Sequence, residues 1–314
     1  LTNLPESIRL VEVGLRDGLQ SVTHNIPTTE KVEVVHMLID AGVKEIEAVS
    51  FAHPKVLPQL ADAAEVMALV PRRADVTYRG LAPNLRGAQR AADCALDELV
   101  VVVSADNEVS RRNQGLSVDE MLDDLAEIGK LVASTDMKLV VGVACAFFAP
   151  ARGEVSSEER MRIVDAAREA GASGVYLAAT SGQEHPGEIS EGIAQIKADH
   201  PHLELGVHLH NRNGFAPANA LAAMLAGVSW LEGSFGGLGG DLWFPGDPSV
   251  LGNAAYEDLV HFCEAIGVET GVDLTKYMQV SDRIVELTGR KSASFVSRGG
   301  TRSELAAAAW PENA

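Results

Sequence analysis

The sequence predicts an α/β fold, a (β/α)₈ TIM barrel with extra C-terminal helices, on three observations. Short runs rich in Val, Leu and Ile alternate with amphipathic helical stretches from one end of the chain to the other. The runs are near-continuously apolar, as strands of a parallel sheet covered on both faces must be. About eight such units fit into roughly 270 residues, the count and size of an eight-fold barrel. No Gly-x-Gly-x-x-Gly follows the first run, which disfavours an open, doubly wound sheet.

In chain order, the predicted strands are Arg9–Val13, Glu45–Ser50, Val76–Leu81, Leu99–Ser104, Leu139–Ala144, Val175–Ala179, Leu205–His210 and Trp230–Ser234. Helical spacing between them includes Thr29–Ala41, Ser117–Ala133, Ser157–Ala170 and Ala216–Ala226. Three of these stretches run into Ala41-Gly42, Ala170-Gly171 and Ala226-Gly227, the glycine expected just past a helix C-terminus. From Asp273 onward one or two further helices with a polar end are expected. No low-complexity linker divides the chain, so residues 1–314 read as one domain, with about 273–314 as its helical extension.

The 314 residues are 46% hydrophobic, enough for a large core, and carry a formal net charge of −18. That charge argues against nucleic acid or an anionic membrane as partner, while leaving room for an anionic small substrate in a cleft lined by Arg and Lys. Cys94, Cys145 and Cys263 are odd in number, widely spaced and without a Cys-x-x-Cys pair, as suits a reduced cytosolic protein. The longest apolar stretch, Leu139 to Pro150, is too short to span a bilayer, and no signal-like segment opens the chain at Leu1. A cytoplasmic enzyme is expected; a homo-oligomer is compatible with this composition.

In such a barrel the chemistry sits at the carboxyl ends of the strands. There the chain places Gly14-Leu15-Arg16-Asp17-Gly18, then Glu47 and Ser50, then His208 and His210, then the run Gly236-Gly237-Leu238-Gly239-Gly240, Asp241 and Asn253. His208 and His210 are two apart on a strand, so their side chains share a face about 6–7 Å apart and can converge on one cation. They read equally well as polar strand-end residues satisfied by hydrogen bonds. Asp17, His208, His210 and Asn253 together offer a carboxylate, two imidazoles and an amide oxygen. This set suits Mg²⁺ or Mn²⁺, with Zn²⁺ or Co²⁺ as substitutes. Arg16 cannot lose its proton and suits the stabilisation of a developing oxyanion; a local ion pair with Asp17 is its plain alternative. Glu47 either orients Arg16 or a metal-bound water, or belongs to an ordinary interior ion pair. So many glycines cost folding entropy, and Gly236–Gly240 is expected to serve as a mobile lid rather than a simple turn.

These residues carry a resemblance. Val11-Glu12-Val13-Gly14-Leu15-Arg16-Asp17-Gly18-Leu19-Gln20 resembles the opening motif of the 3-hydroxy-3-methylglutaryl-CoA lyase family, in the metallolyase superfamily of TIM barrels. The likeness continues through Ile46-Glu47, Ser50-Phe51, Pro54-Lys55, Pro83-Asn84-Leu85, the His208/His210 strand, Gly237–Gly240, and Asn253 followed by Glu257-Asp258-Leu259, covering nearly the whole chain. It implies that Asp17, His208, His210 and Asn253 bind the metal, that Arg16 polarises substrate oxygens, and that Glu47 belongs to the active site. It also implies a retro-aldol cleavage of a 3-hydroxy acyl-CoA. His208 or a water beside it takes the hydroxyl proton, Arg16 steadies the acetyl-CoA enolate, and an acid protonates the enolate carbon.

Two positions depart from the family. Asp241 stands where the family has the cysteine implicated in that proton transfer; a carboxylate titrating near 3.9 is a base at neutral pH unless its surroundings raise it. Leu177-Ala178-Ala179-Thr180 replaces a usual Gly-Asp-Thr, so Ala179 stands in place of an active-site carboxylate. The stretch from Asp241 to Asn253, with Leu242-Trp243-Phe244-Pro245, is also longer than the family's. Hence three readings follow in rank: a hydroxymethylglutaryl-CoA lyase, a lyase or aldolase for another 3-hydroxy acyl-CoA or hydroxy acid, and a non-catalytic barrel binding metal and acyl-CoA.

Overall fold

A computed structural model describes residues 3–240, 244–245 and 252–310 of the chain. Eight parallel strands close into a barrel: β1 Arg9–Glu12, β2 Glu45–Ser50, β3 Thr77–Leu81, β4 Glu98–Ser104, β5 Lys138–Ala144, β6 Gly174–Ala179, β7 Glu204–Leu209 and β8 Trp230–Gly233. Each strand pairs with its neighbours in sequence, and β1 pairs with β8 to close the ring. All eight predicted strands form, with ends shifted by one residue where they shift at all. The four named helices form as Thr28–Asp40, Val118–Val132, Ser157–Glu169 and Ala216–Leu225. Gly42, Gly171 and Gly227 sit at φ of +91°, +84° and +84°, the left-handed region that ends a helix. Among the described residues, no helix is long and apolar enough to cross a membrane.

Side-chain alternation along the strands sorts the core into two layers. Val101, Val103, Val141, Val143, Val175, Leu177, Val207 and Leu209 face the helices, and Val11, Val100, Val140, Tyr176, Ala178 and Trp230 fill the barrel. The amino-terminal end of the interior is charged. Arg79, 2% exposed, donates to Glu98 and Glu45 at 2.7 Å each and to Glu232 at 3.3 Å, and lies over the Trp230 ring. Gly206 leaves the room that the indole needs, because a Cβ there would lie 2.0 Å from Trp230 Cε2. In β2 the register shifts between Glu47 and Val49, a bulge that turns both Glu47 and Ser50 inward although they are three residues apart.

The tail from Asp273 onward begins by packing onto the barrel. Its first helix, Leu274–Thr288, is capped by the Asp273 side chain and buries Leu274, Tyr277, Val280 and Ile284. The Tyr277 hydroxyl donates to Glu12 at the end of β1. Two shorter helices follow, Val296–Gly299 and Arg302–Ala307; the last buries nothing.

Candidate metal centre and active site

The chain leaves β1 in a π-helical turn, Gly14–Gly18, whose amides from Arg16 to Gly18 all point back at the Val13 carbonyl. Such turns widen the backbone by one residue and are common at functional sites. Glu12 fixes the turn by accepting the Gly14 amide at 2.6 Å and the Phe235 amide at 3.2 Å. Arg16 and Asp17, each 6% exposed, are thereby aimed across the carboxyl-terminal mouth of the barrel.

Asp17, His208 and His210 meet there. One ligand atom from each lies within 4.8 Å of the other two, and all three residues are buried. The two imidazoles face each other through their Nε2 atoms at 3.1 Å. His208 Nδ1 lies 3.0 Å from Glu232 Oε2. Asn253 arrives from a segment that pairs with the end of β7, where the Ala254 amide donates to the Leu209 carbonyl. Its Nδ2 donates to Asp17 Oδ2 at 2.7 Å and to the Leu238 carbonyl at 3.0 Å. Its Oδ1 is buried with no hydrogen-bond partner among the described residues. A lone buried acceptor is costly, and two facing imidazole nitrogens cannot both hold lone pairs comfortably. A cation would resolve both, so the four residues fit the divalent metal that the donor set suggests.

Charge is arranged around this point. Burial alone would raise Asp17, but Arg16, His208, His210 and the Asn253 amide outweigh it and hold the carboxyl below its usual range. Arg16 grips Glu47 with two parallel bonds, Nε to Oε1 at 2.7 Å and Nη2 to Oε2 at 3.0 Å, and donates through Nη1 to Asp17 at 2.6 Å. Glu47 therefore orients Arg16; the ion-pair reading and the orienting reading are the same contact. A cavity of about 380 Å³ opens above, lined by Arg16, Asp17, Ser50, Tyr176, His208 and His210 among others.

Two stretches singled out in the sequence take settings that their letters did not specify. The Gly236–Gly240 run packs against the end of the barrel. Gly236 and Gly237 are buried, the Gly236 amide donates to both oxygens of the buried Glu257, and only Leu238 and Gly239 are partly exposed. The glycines serve conformation and close approach: φ is positive at Gly236, Gly237, Gly239 and Gly240, and a Cβ on Gly239 would lie 2.2 Å from Asn253 Nδ2. Ala179, in turn, is not on the cavity wall. Alternation sends Ala178 and Thr180 inward and packs Ala179, fully buried, among the residues that face the helices. Asp241 lies outside the described residues; its neighbour Gly240 lines the cavity.

Sequence reading missed Glu232 and Tyr176. Burial works against an ionised Glu232, but His208, Arg79 and the Trp230 N–H together hold it below its ordinary range. Tyr176 lines the cavity 3% exposed, its ring 6.0 Å from that of His208, and burial holds its phenol well above 10. Their signal was parity. Trp230 and Glu232 share a strand face, as do Tyr176 and Ala178, and a polar atom on the inward face of a buried strand needs a reason.

The HMGL-like family model matches residues 7–284. Hydroxymethylglutaryl-CoA lyase, mitochondrial, of Macaca fascicularis is 33% identical over 298 residues, 95% of this chain and 91% of that protein. 3-Hydroxy-3-methylglutaryl-CoA lyase, cytoplasmic, of Danio rerio is 34% identical over 95% of this chain and 88% of its own. The structure of an HMG-CoA lyase from Acenitobacter baumannii in complex with coenzyme A and 3-methylmalate superposes with a TM-score of 0.91 at 32% identity, covering 98% of each chain. The barrel, its carboxyl-end cluster and the match over most of the chain agree, and the chain belongs to the HMGL-like family.

Proposed function

We propose that this protein is a divalent-metal-dependent carbon–carbon lyase that cleaves 3-hydroxy-3-methylglutaryl-CoA to acetyl-CoA and acetoacetate. One observation carries the reading: Asp17, His208 and His210 converge beside the fixed charge of Arg16 at a buried point that opens into the cavity. Asp17, His208, His210 and Asn253 would hold the cation, which when bound supplies Lewis-acid polarisation of the substrate's oxygens. With Nδ1 on Glu232 and Nε2 in the cluster, His208 would serve as a ligand, and the 3-hydroxyl proton would pass to bulk solvent through a water beside it. As that proton leaves, the C2–C3 bond breaks and its electron pair becomes the thioester enolate. Arg16, oriented by Glu47, stabilises the enolate oxygen.

The proton returned to C2 must come from a group that holds one at neutral pH. We assign that donation to Tyr176, a phenol on the cavity wall that would recover its proton from solvent after each turnover, with Asp241 binding substrate or acting as a base. Tyr176→Phe is then expected to slow cleavage by about 10²-fold. Asp241→Cys is expected to raise the rate only if the missing thiol limits it. A Tyr176→Phe enzyme as fast as the parent, with Asp241→Cys faster, would reverse the two roles.

The decisive assay is release of acetyl-CoA from 3-hydroxy-3-methylglutaryl-CoA with Mg²⁺ or Mn²⁺, abolished by a chelator and restored by metal. Metal binding without turnover would sink this substrate. A panel of 3-hydroxy acyl-CoAs then tests the second reading, a lyase for a related acyl-CoA. Asp241, standing where the family has a cysteine, favours that reading. Three widely spaced cysteines, Cys94, Cys145 and Cys263, with no Cys-x-x-Cys pair suit a reducing compartment, and we place the enzyme in the cytoplasm. Fractionation with a compartment marker tests that placement; recovery with mitochondria or outside the cell would refute it.

A further inference from the structure

We infer that Glu232 is a positioning residue that, held by Arg79 and Trp230, decides which nitrogen His208 presents to the cation site. The inference rests on the proposed function only through that site and needs no particular substrate.

Both oxygens of Glu232 face donors. Oε1 accepts Trp230 Nε1–H at 2.9 Å and Arg79 Nη1–H at 3.3 Å, which leaves Oε2 to accept from His208 Nδ1 at 3.0 Å. An ionised carboxylate has no hydrogen to give, so the imidazole keeps its hydrogen on Nδ1. The lone pair is then on Nε2, the atom that faces His210 and belongs to the Asp17 cluster. The opposite tautomer would put a hydrogen where a ligand lone pair is required. Arg79 and Trp230 keep the carboxylate from swinging away. Arg79 is itself anchored to Glu45 and Glu98, and Glu232 and Arg79 are at most 2% exposed. The chain of contacts runs from the amino-terminal end of the barrel interior to His208.

This arrangement makes glutamine a poor replacement despite its shape. With its carbonyl towards His208, its NH₂ meets the Trp230 and Arg79 donors and no acceptor. With its carbonyl towards those two, its NH₂ faces His208 Nδ1 and draws the imidazole hydrogen to Nε2.

The test uses the metal-free and Mn²⁺-titrated full chain. Long-range ¹H–¹⁵N spectra should show His208 as the Nδ1–H tautomer in the parent and as Nε2–H or a mixture in Glu232→Gln. Calorimetric Mn²⁺ affinity should fall by about 10–100-fold in Glu232→Gln. Glu232→Asp keeps the charge but withdraws it by one methylene, so it should lose less affinity and keep the parent tautomer. Glu232→Gln with an unchanged tautomer and Mn²⁺ affinity within about twofold of the parent would overturn the inference. If Glu232→Gln does not fold, Glu232→Asp decides: a parent tautomer with weakened Mn²⁺ binding supports the inference, and undiminished binding overturns it. No Mn²⁺ binding by the parent removes the cation site and this inference together. Parent binding without cleavage of any acyl-CoA removes only the proposed function.

Discussion

Asp17→Ala is expected to lower kcat/KM by about 10³-fold or more, the several kcal/mol that a lost Lewis-acid centre represents. Mn²⁺ binding should fall with it. The substitution removes the carboxylate of the proposed ligand set and does more besides. Asp17 Oδ1 accepts from Arg16 and from Gln20 at 2.9 Å, and Oδ2 accepts from Asn253. Without them Arg16 loses one of its two fixed edges, so the enolate-stabilising charge is less well aimed as the cation is lost. Asp17→Asn separates the two effects. It keeps the size and one acceptor, so Arg16 stays near its position, yet it supplies a weaker, neutral ligand. Its activity should therefore fall nearly as far as that of Asp17→Ala while its thermal stability stays closer to the parent. Metal-dependent activity retained in either variant would defeat the ligand assignment.

The legible parts of this chain were those written locally. Strand and helix periods, the glycines after helices, the two-residue spacing of His208 and His210, and the turn around Arg16 and Asp17 can all be read from a few adjacent letters. The barrel then converts them, because the carboxyl ends of its strands are neighbours whatever their separation in sequence. The illegible parts need closure of the ring. Arg79 and Glu232 are 153 residues apart and meet only across the interior. The Gly236–Gly240 run shows a second limit: glycine content reports that the backbone needs freedom, but not whether for motion or for fixed positive φ beside Asn253. Ala179 shows a third. Strand parity alone would have sent it outward, but its place in a family motif drew attention to the site instead.

The largest stability effect should come from Arg79→Met, a loss of about 3–5 kcal/mol, the range for removing one partner of a buried ion pair. For a chain of this size that corresponds to a fall in Tm of about 5–8 °C. Methionine nearly matches the volume of the arginine stem, so packing is not the cause. The cause is that Glu45, Glu98 and Glu232 share one guanidinium inside the barrel, at 2.7, 2.7 and 3.3 Å. Exposed Arg9 reaches only Glu45 among these three, at 3.1 Å, and cannot replace it. Left without Arg79, carboxylates in the folded state resist ionisation more than in the unfolded chain, so their folded pKa rises. A raised carboxylate pKa favours folding at acid pH and is lost as pH climbs, so the variant's deficit should be smaller near pH 5.5 than at pH 8. Neutralising the partners should recover stability too: Arg79→Met with Glu45→Gln and Glu98→Gln should melt above Arg79→Met alone. A melt of Arg79→Met within about 2 °C of the parent at pH 8 would mean that the three carboxylates are already neutral or solvated, and that Arg79 does not hold Glu232 against His208.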